Sequence, residues 1–97
     1  MSLVQLESFV AVAEEAHVGR AARRLHVSQP PLTRRIRGLE DELGTPLFER
    51  TPRGMRLLPS GERLLPRARE ILDAIEAART AVHDPPTGRT PAEPGPV

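Results

Sequence analysis

Apolar residues near the start of the chain recur at helical steps: Leu3, Leu6, Val10 and Ala13, with Phe9 beside them. Leu3 to Ala16 is therefore predicted as an amphipathic helix. Gly19 interrupts the pattern, and Arg20 to Leu25 then forms a short second helix facing Ala21, Ala22 and Leu25 inward. The small alanine pair lets another helix approach closely. His26 and Val27 make a brief turn. A third helix, Gln29 to Leu43, gathers Leu32, Ile36, Leu39 and Leu43 in a narrow arc and leaves Pro30, Arg34, Arg37 and Asp41 on the opposite side. Gly44 is suited to stop it in the left-handed conformation. Two helices joined by a short turn, the second amphipathic and basic at its start, make a helix-turn-helix.

Downstream, Leu47 and Phe48 are expected to plug the core. A strand over Phe48–Arg50, a turn over Thr51–Gly54 and a return strand over Met55–Leu57 form a hairpin wing with Arg53 at its tip. From Ser60 to about His83, the residues Leu64, Ala68, Ile71, Ile75, Ala78 and Val82 follow steps of 4, 3, 4, 3 and 4, the spacing of a coiled-coil seam. Leu65 and Leu72 widen that face. So long a helix overruns so small a core, so the seam is expected to pair two copies of the chain. Pro66 lies inside the pattern and is expected to kink the helix or shorten its regular part. The last fourteen residues hold five prolines and two glycines and read as a disordered hinge. The predicted fold is mainly α: a winged helix-turn-helix over residues 1–59, a long dimerising linker helix over 60–83 and a hinge over 84–97.

The third helix has an unusual start. Pro30 and Pro31 fall in its first turn, where missing N–H donors cost little. With Ser28 as N-cap, the usual bonds would go to the N–H of the second or third helical residue, and those positions are the two prolines. The Ser28 hydroxyl and the Gln29 side chain are thereby left for an outside partner. Pro31 also disfavours the α region at Pro30, so the first regular turn is expected one residue late. Three arginines lie near the helix start and three acids near its end, the reverse of what the macrodipole prefers.

Charge gives that order a meaning. The net charge is +1, yet residues 20–56 hold nine arginines against four acids, a local excess of +5. Basic surface concentrated in this way points to a polyanion. All 14 basic residues are arginine, whose planar fork suits phosphates and guanine edges. A helix carrying Gln29, Thr33 and Arg34 near its N-terminus can enter the major groove of DNA, Gln29 on an adenine edge and Arg34 on a guanine edge. Its acids then lie away from the phosphates. Other chemistry is missing. There is no cysteine, His17, His26 and His83 sit on separate elements, no glycine-rich phosphate loop is present, and no nucleophile faces a base. No catalytic residue, metal or cofactor is expected. No apolar run approaches a membrane span or a signal segment, so the expected location is cytoplasmic.

The succession Leu6, Phe9-Val10-Ala11-Val12-Ala13, Ala21-Ala22, Leu25, Val27-Ser28-Gln29-Pro30, Ile36, Leu39-Glu40, Leu43-Gly44, Pro46-Leu47-Phe48-Glu49-Arg50, Leu57, Pro59 and Gly61 resembles the N-terminal signature of LysR-type transcriptional regulators over about residues 3–80. The resemblance implies a dimeric binder of a partly palindromic duplex, joined through its linker helix. It also implies a small-molecule effector bound by a separate C-terminal domain. By resemblance, the groove-reading residues are Ser28, Gln29, Pro30, Thr33 and Arg34. Arg53 is the wing arginine, and Arg50 and the start of the third helix meet phosphate. Four positions depart from the family: Val18 stands where Phe is common, Arg35 where Gln is frequent, Leu58 where Thr usually caps the linker helix, and Pro66 comes unusually early. Arg35, like Arg37, adds charge within reach of phosphate or base. A coiled-coil interaction module with a basic patch is the competing class, but it needs neither the SQPP tip nor arginines confined to the third helix and wing.

Overall fold

The computed structural model describes residues 1–83 in the order α1 (Leu3–Glu15), α2 (Val18–Leu25), α3 (Gln29–Leu43), β1 (Phe48–Thr51), β2 (Gly54–Leu57) and α4 (Pro59–His83). The predicted hinge over 84–97 lies outside the described residues.

α1 begins with a capping box: Ser2 Oγ accepts from the Gln5 N–H and Gln5 Oε1 accepts from the Ser2 N–H. Its buried surface is broader than the predicted stripe. Leu6, Ser8, Phe9, Val10, Ala11 and Val12 are all buried, whereas Leu3 and Ala13 are only half-buried. The reason is position: α1 packs against α2, α3 and α4 at once. Ser8 satisfies its buried hydroxyl by donating to the Val4 carbonyl at 2.7 Å.

α2 corrects the expected break at Gly19, which lies inside the helix and is buried. His17 starts α2 instead, its imidazole Nδ1 accepting from the Arg20 N–H at 3.1 Å. Ala21 and Ala22 are buried as predicted, and Leu25 is half-buried. In α3, Leu32, Ile36 and Leu39 are buried, but Leu43 is 37% exposed. By its last turn α3 has reached the chain start, where the Met1 amino group meets Glu42 at 2.5 Å, and the core has run out. Ser28 makes no side-chain cap bond, as expected, yet the helix starts at Gln29 with no delay across the prolines.

The wing is an antiparallel hairpin pairing Phe48 with Leu57 and Thr51 with Gly54. Leu47 and Phe48 are buried, and the Phe48 ring lies 5.4 Å from that of Phe9, tilted by 51°. α4 then runs as one helix from Pro59 to His83 through Pro66, so its regular part is not shortened there. The missing N–H frees only the Glu62 carbonyl, and both residues are exposed, so water can serve it. The heptad seam divides along the helix. Ala68 is fully buried in the chain's own core, with Leu64, Leu65 and Leu72 packed against it. Ala68 therefore has no surface to give a second copy. Further along, Ile71 and Val82 are 43% and 77% exposed, Ala78 is exposed and Ile75 half-buried. Among the described residues no helix is long and apolar enough to cross a membrane.

Candidate nucleic-acid interface

The start of α3 stands clear of the core. Ser28, Gln29 and Pro30 are exposed, as are Arg34 and Arg37 one and two turns on, while Thr33 and Arg35 are half-buried. The wing presents Arg50 and Arg53, both exposed. Two depressions join these elements. One, of about 240 Å³, brings Gln29 together with Arg50 and Arg53 beside His17 and Gly19. The other, of about 160 Å³, lies between α3 and the hairpin, with Thr33, Arg37 and Arg50 around apolar walls that include Val18. Arg34 and Arg35 line neither.

Electrostatics and position together mark these arginines: Arg23 of α2 and Arg63 of α4 also lack a carboxylate within 4 Å among the described residues, but neither lies on α3 or the wing. Among the described residues Arg34, Arg35, Arg37, Arg50 and Arg53 have no carboxylate within 4 Å, whereas Arg20, Arg24 and Arg56 do. Arg56 meets Glu49, its cross-strand partner. Around the exposed helix start and the wing, these five arginines thus form a positive surface with no paired carboxylate of their own, which a phosphate backbone complements. Among the described residues no group of three or more His, Asp or Glu is arranged to hold a metal.

Two clamps hold the wing against the helices. Glu40 Oε2 accepts from the Leu47 N–H at 2.7 Å and the Phe48 N–H at 3.3 Å, tying the start of β1 to α3. On the other strand the Met55 N–H donates to the Ala16 carbonyl at 3.0 Å, the left-handed C-cap of α1. Gly54 makes that approach possible: at φ +135° any Cβ would sit 2.3 Å from the Ala16 oxygen. At the wing tip Thr51 Oγ1 accepts from the Arg53 N–H at 3.2 Å and donates to the Gly54 carbonyl at 3.0 Å. The Arg53 backbone is fixed while its side chain is left outside. The sequence reading missed Glu40, Ala16 and His17 as positioning groups. The acids of α3 read as solvated surface held away from phosphate, and no periodic signal links Glu40 to the Leu47 and Phe48 N–H groups seven and eight residues later.

Residues 3–62 match the family described as bacterial regulatory helix-turn-helix protein, lysR family. The chain is 53% identical over 79 residues to the HTH-type transcriptional regulator ClcR of Pseudomonas putida, covering 81% of this chain and 27% of that protein. It therefore spans only about a quarter of that relative's length. Among solved structures it resembles the CbnR DBD–DNA complex, with a TM-score of 0.76, 44% identity and coverage of 86% of this chain and 100% of that one. It also resembles the BenM DBD in complex with benA site 1 DNA, with a TM-score of 0.82, 36% identity and coverage of 92% and 100%.

Proposed function

This chain belongs to the lysR family of bacterial regulatory helix-turn-helix proteins, and we propose that it reads a specific duplex sequence as a homodimer, serving as the DNA-binding part of a longer regulator. The observation that carries this reading is the surface of five arginines without carboxylate partners around the exposed start of α3. Inserted into the major groove, which is about as wide as a helix with its side chains, α3 turns Gln29, Thr33 and Arg34 toward base edges, with Ser28 and Pro30 beside them. Arg35, Arg37 and Arg50 lie toward phosphate. Arg53 enters the neighbouring minor groove, where narrow A·T-rich sequence deepens the negative potential. That two of its structural relatives are solved as complexes with DNA supports duplex binding by this chain.

The distal half of α4 supplies the dimer contact. Ile71, Ile75, Ala78 and Val82 remain at least partly open, beyond the part of the helix that packs on the core. Leu64 contributes only the face it does not give to its own chain, and Ala68 contributes nothing. A two-fold axis through this contact presents two α3 helices to a partly palindromic site. Response to a small-molecule effector belongs to a domain outside this chain, working from the cytoplasm.

Titration of duplex DNA at increasing salt tests the reading. With 6–10 phosphate contacts, affinity should fall by roughly 10³–10⁵ between 50 and 200 mM, and selection from a random pool should return a site with two-fold symmetry. Binding indifferent to salt, or a pool that stays random, would overturn it. Ile71→Asp should shift the chain toward monomer in sedimentation equilibrium, since it places a charge in an apolar seam. An unchanged dimer would remove α4 as the contact.

A further inference from the structure

Gly19 is buried inside α2, a place where glycine is the poorest helix former after proline. Its surroundings explain it. A methyl group there would come within 2.9 Å of His17 Cε1, 3.2 Å of His17 Nδ1 and 3.3 Å of the Gln29 side-chain nitrogen. All three are side-chain atoms, so two side chains come together above Gly19. The His17 ring is anchored, because its Nδ1 accepts from the Arg20 N–H. The Gln29 amide makes no hydrogen bond among the described residues.

We infer that Gly19 is a specificity-determining position: its bare face, walled by the His17 ring, seats the Gln29 amide in the pose that meets a base edge. The inference rests on the proposed reading of DNA by Gln29. A long side chain free in solution loses rotamer freedom when it binds, and that loss weakens binding. Seating by contact restrains Gln29 beforehand while leaving its donors and its acceptor uncommitted. A hydrogen bond to the protein would restrain it too, but at the expense of the groups that recognise the base. His17 has two separable duties here. Its Nδ1 caps α2 and its ring walls the seat.

The test uses the full chain and duplexes that differ at one base pair at a time. Gln29→Ala first identifies the pair whose discrimination depends on Gln29. Gly19→Ala should then reduce discrimination at that same pair by roughly 2- to 10-fold and leave the pair read by Arg34 unchanged, with a melting temperature close to wild type because the helix preference of alanine offsets the shift of the His17 ring. His17→Asn, which keeps a good N-cap but removes the ring, should lose part of the same discrimination. If Gly19→Ala keeps wild-type discrimination at the Gln29 pair, the seat is not a determinant and the inference fails alone. The same holds if Gly19→Ala weakens all duplexes equally while lowering the melting temperature. If Gln29→Ala leaves selectivity intact at every pair, the reading of DNA by Gln29 fails and takes the inference with it.

Discussion

Arg20 and Arg24 of α2 and the arginines Arg34, Arg35, Arg37, Arg50 and Arg53 of α3 and the wing have opposite surroundings, while among the described residues Arg23 of α2 is unpaired and Arg56 of β2 is paired with Glu49. Arg24 lies 2.8 Å from Glu14 and 3.3 Å from Glu15, Arg20 lies 3.8 Å from Glu15, and Arg69 of α4 reaches Glu14 at 2.9 Å. These contacts tie α2 and α4 to the end of α1. Arg34, Arg35, Arg37, Arg50 and Arg53 have no such partner among the described residues. Three of the four acids nearest in sequence are committed elsewhere, Glu40 to the Leu47 and Phe48 N–H groups, Glu42 to the Met1 amino group and Glu49 to Arg56. The fourth, Asp41, meets no arginine within 4 Å among the described residues. Like charges left together repel one another and destabilise the compact state. Such an arrangement gains only when a polyanion supplies the counter-charge. A local charge of +5 therefore mixes two kinds of residue, and the lack of a partner together with a place on α3 or the wing, more than the count, marks the surface that binds.

The largest expected effect separates the two sets directly. Arg34→Ala should cost about 1–3 kcal/mol of binding at its own base pair and relax preference there, with thermal stability close to wild type. Arg24→Ala should do the reverse, lowering stability by at most ~1 kcal/mol, as for surface ion pairs, while duplex affinity changes little. Paired titrations and melts of both variants would break the comparison if the effects were exchanged. Next in size is Glu40. Glu40→Ala leaves the Leu47 and Phe48 N–H groups without their acceptor, a loss of about 1–3 kcal/mol for a buried donor, reduced here because the site is only part-buried. Glu40→Gln retains an acceptor oxygen and should lose less. Equal melting temperatures for the two variants would show that the carboxylate charge, and not the hydrogen-bond geometry, holds the wing.

Much of this was legible in the sequence because local chemistry and hydrophobic period agreed. α3 begins at Gln29 and ends at Leu43 as predicted, since a dry face, paired prolines and Gly44 (φ +71°) all mark the same limits. The hairpin was legible from Pro52 to Gly54 for a similar reason. Failures came where a residue's role depends on distant neighbours. An imidazole at the start of α2 is an uncommon cap, so Gly19 looked like a break. Heptad spacing states that a face is apolar but not what covers it: it points Ala68 toward a second copy, yet the chain's own core already buries that residue. Leu43 kept the period after the core had ended. For the interface, charge and position indicated the exposed arginines, but the clamps at Glu40 and Ala16 join elements that periodicity treats separately.

The smallest expected effect concerns acid. Glu14 accepts hydrogen bonds from the guanidinium groups of Arg24 and Arg69, and these hold its carboxyl below the ordinary glutamate range, against a weaker opposing push from burial. A carboxyl whose pKa is lower in the folded chain than in the unfolded one stabilises the fold above its unfolded value. That contribution is lost as pH falls through the folded value. The window therefore lies below about pH 4.3, the ordinary value for glutamate. Because the groups are near the surface, the part at stake is about 0.2–1 kcal/mol for an exposed pair. Melting temperatures followed from pH 6 down to pH 3 should fall less steeply in Glu14→Gln than in wild type, and Arg24→Ala, which leaves Arg69 on Glu14, should fall between the two. Arg34→Ala should follow wild type, since it removes a charge that no carboxylate of the fold meets. If Arg34→Ala also flattened the curve, Arg34 would have an acidic partner in solution and would belong with the α2 set. Should Glu14→Gln instead track wild type throughout, the ties among α1, α2 and α4 would carry no measurable stability, and the two sets would differ only in what they bind.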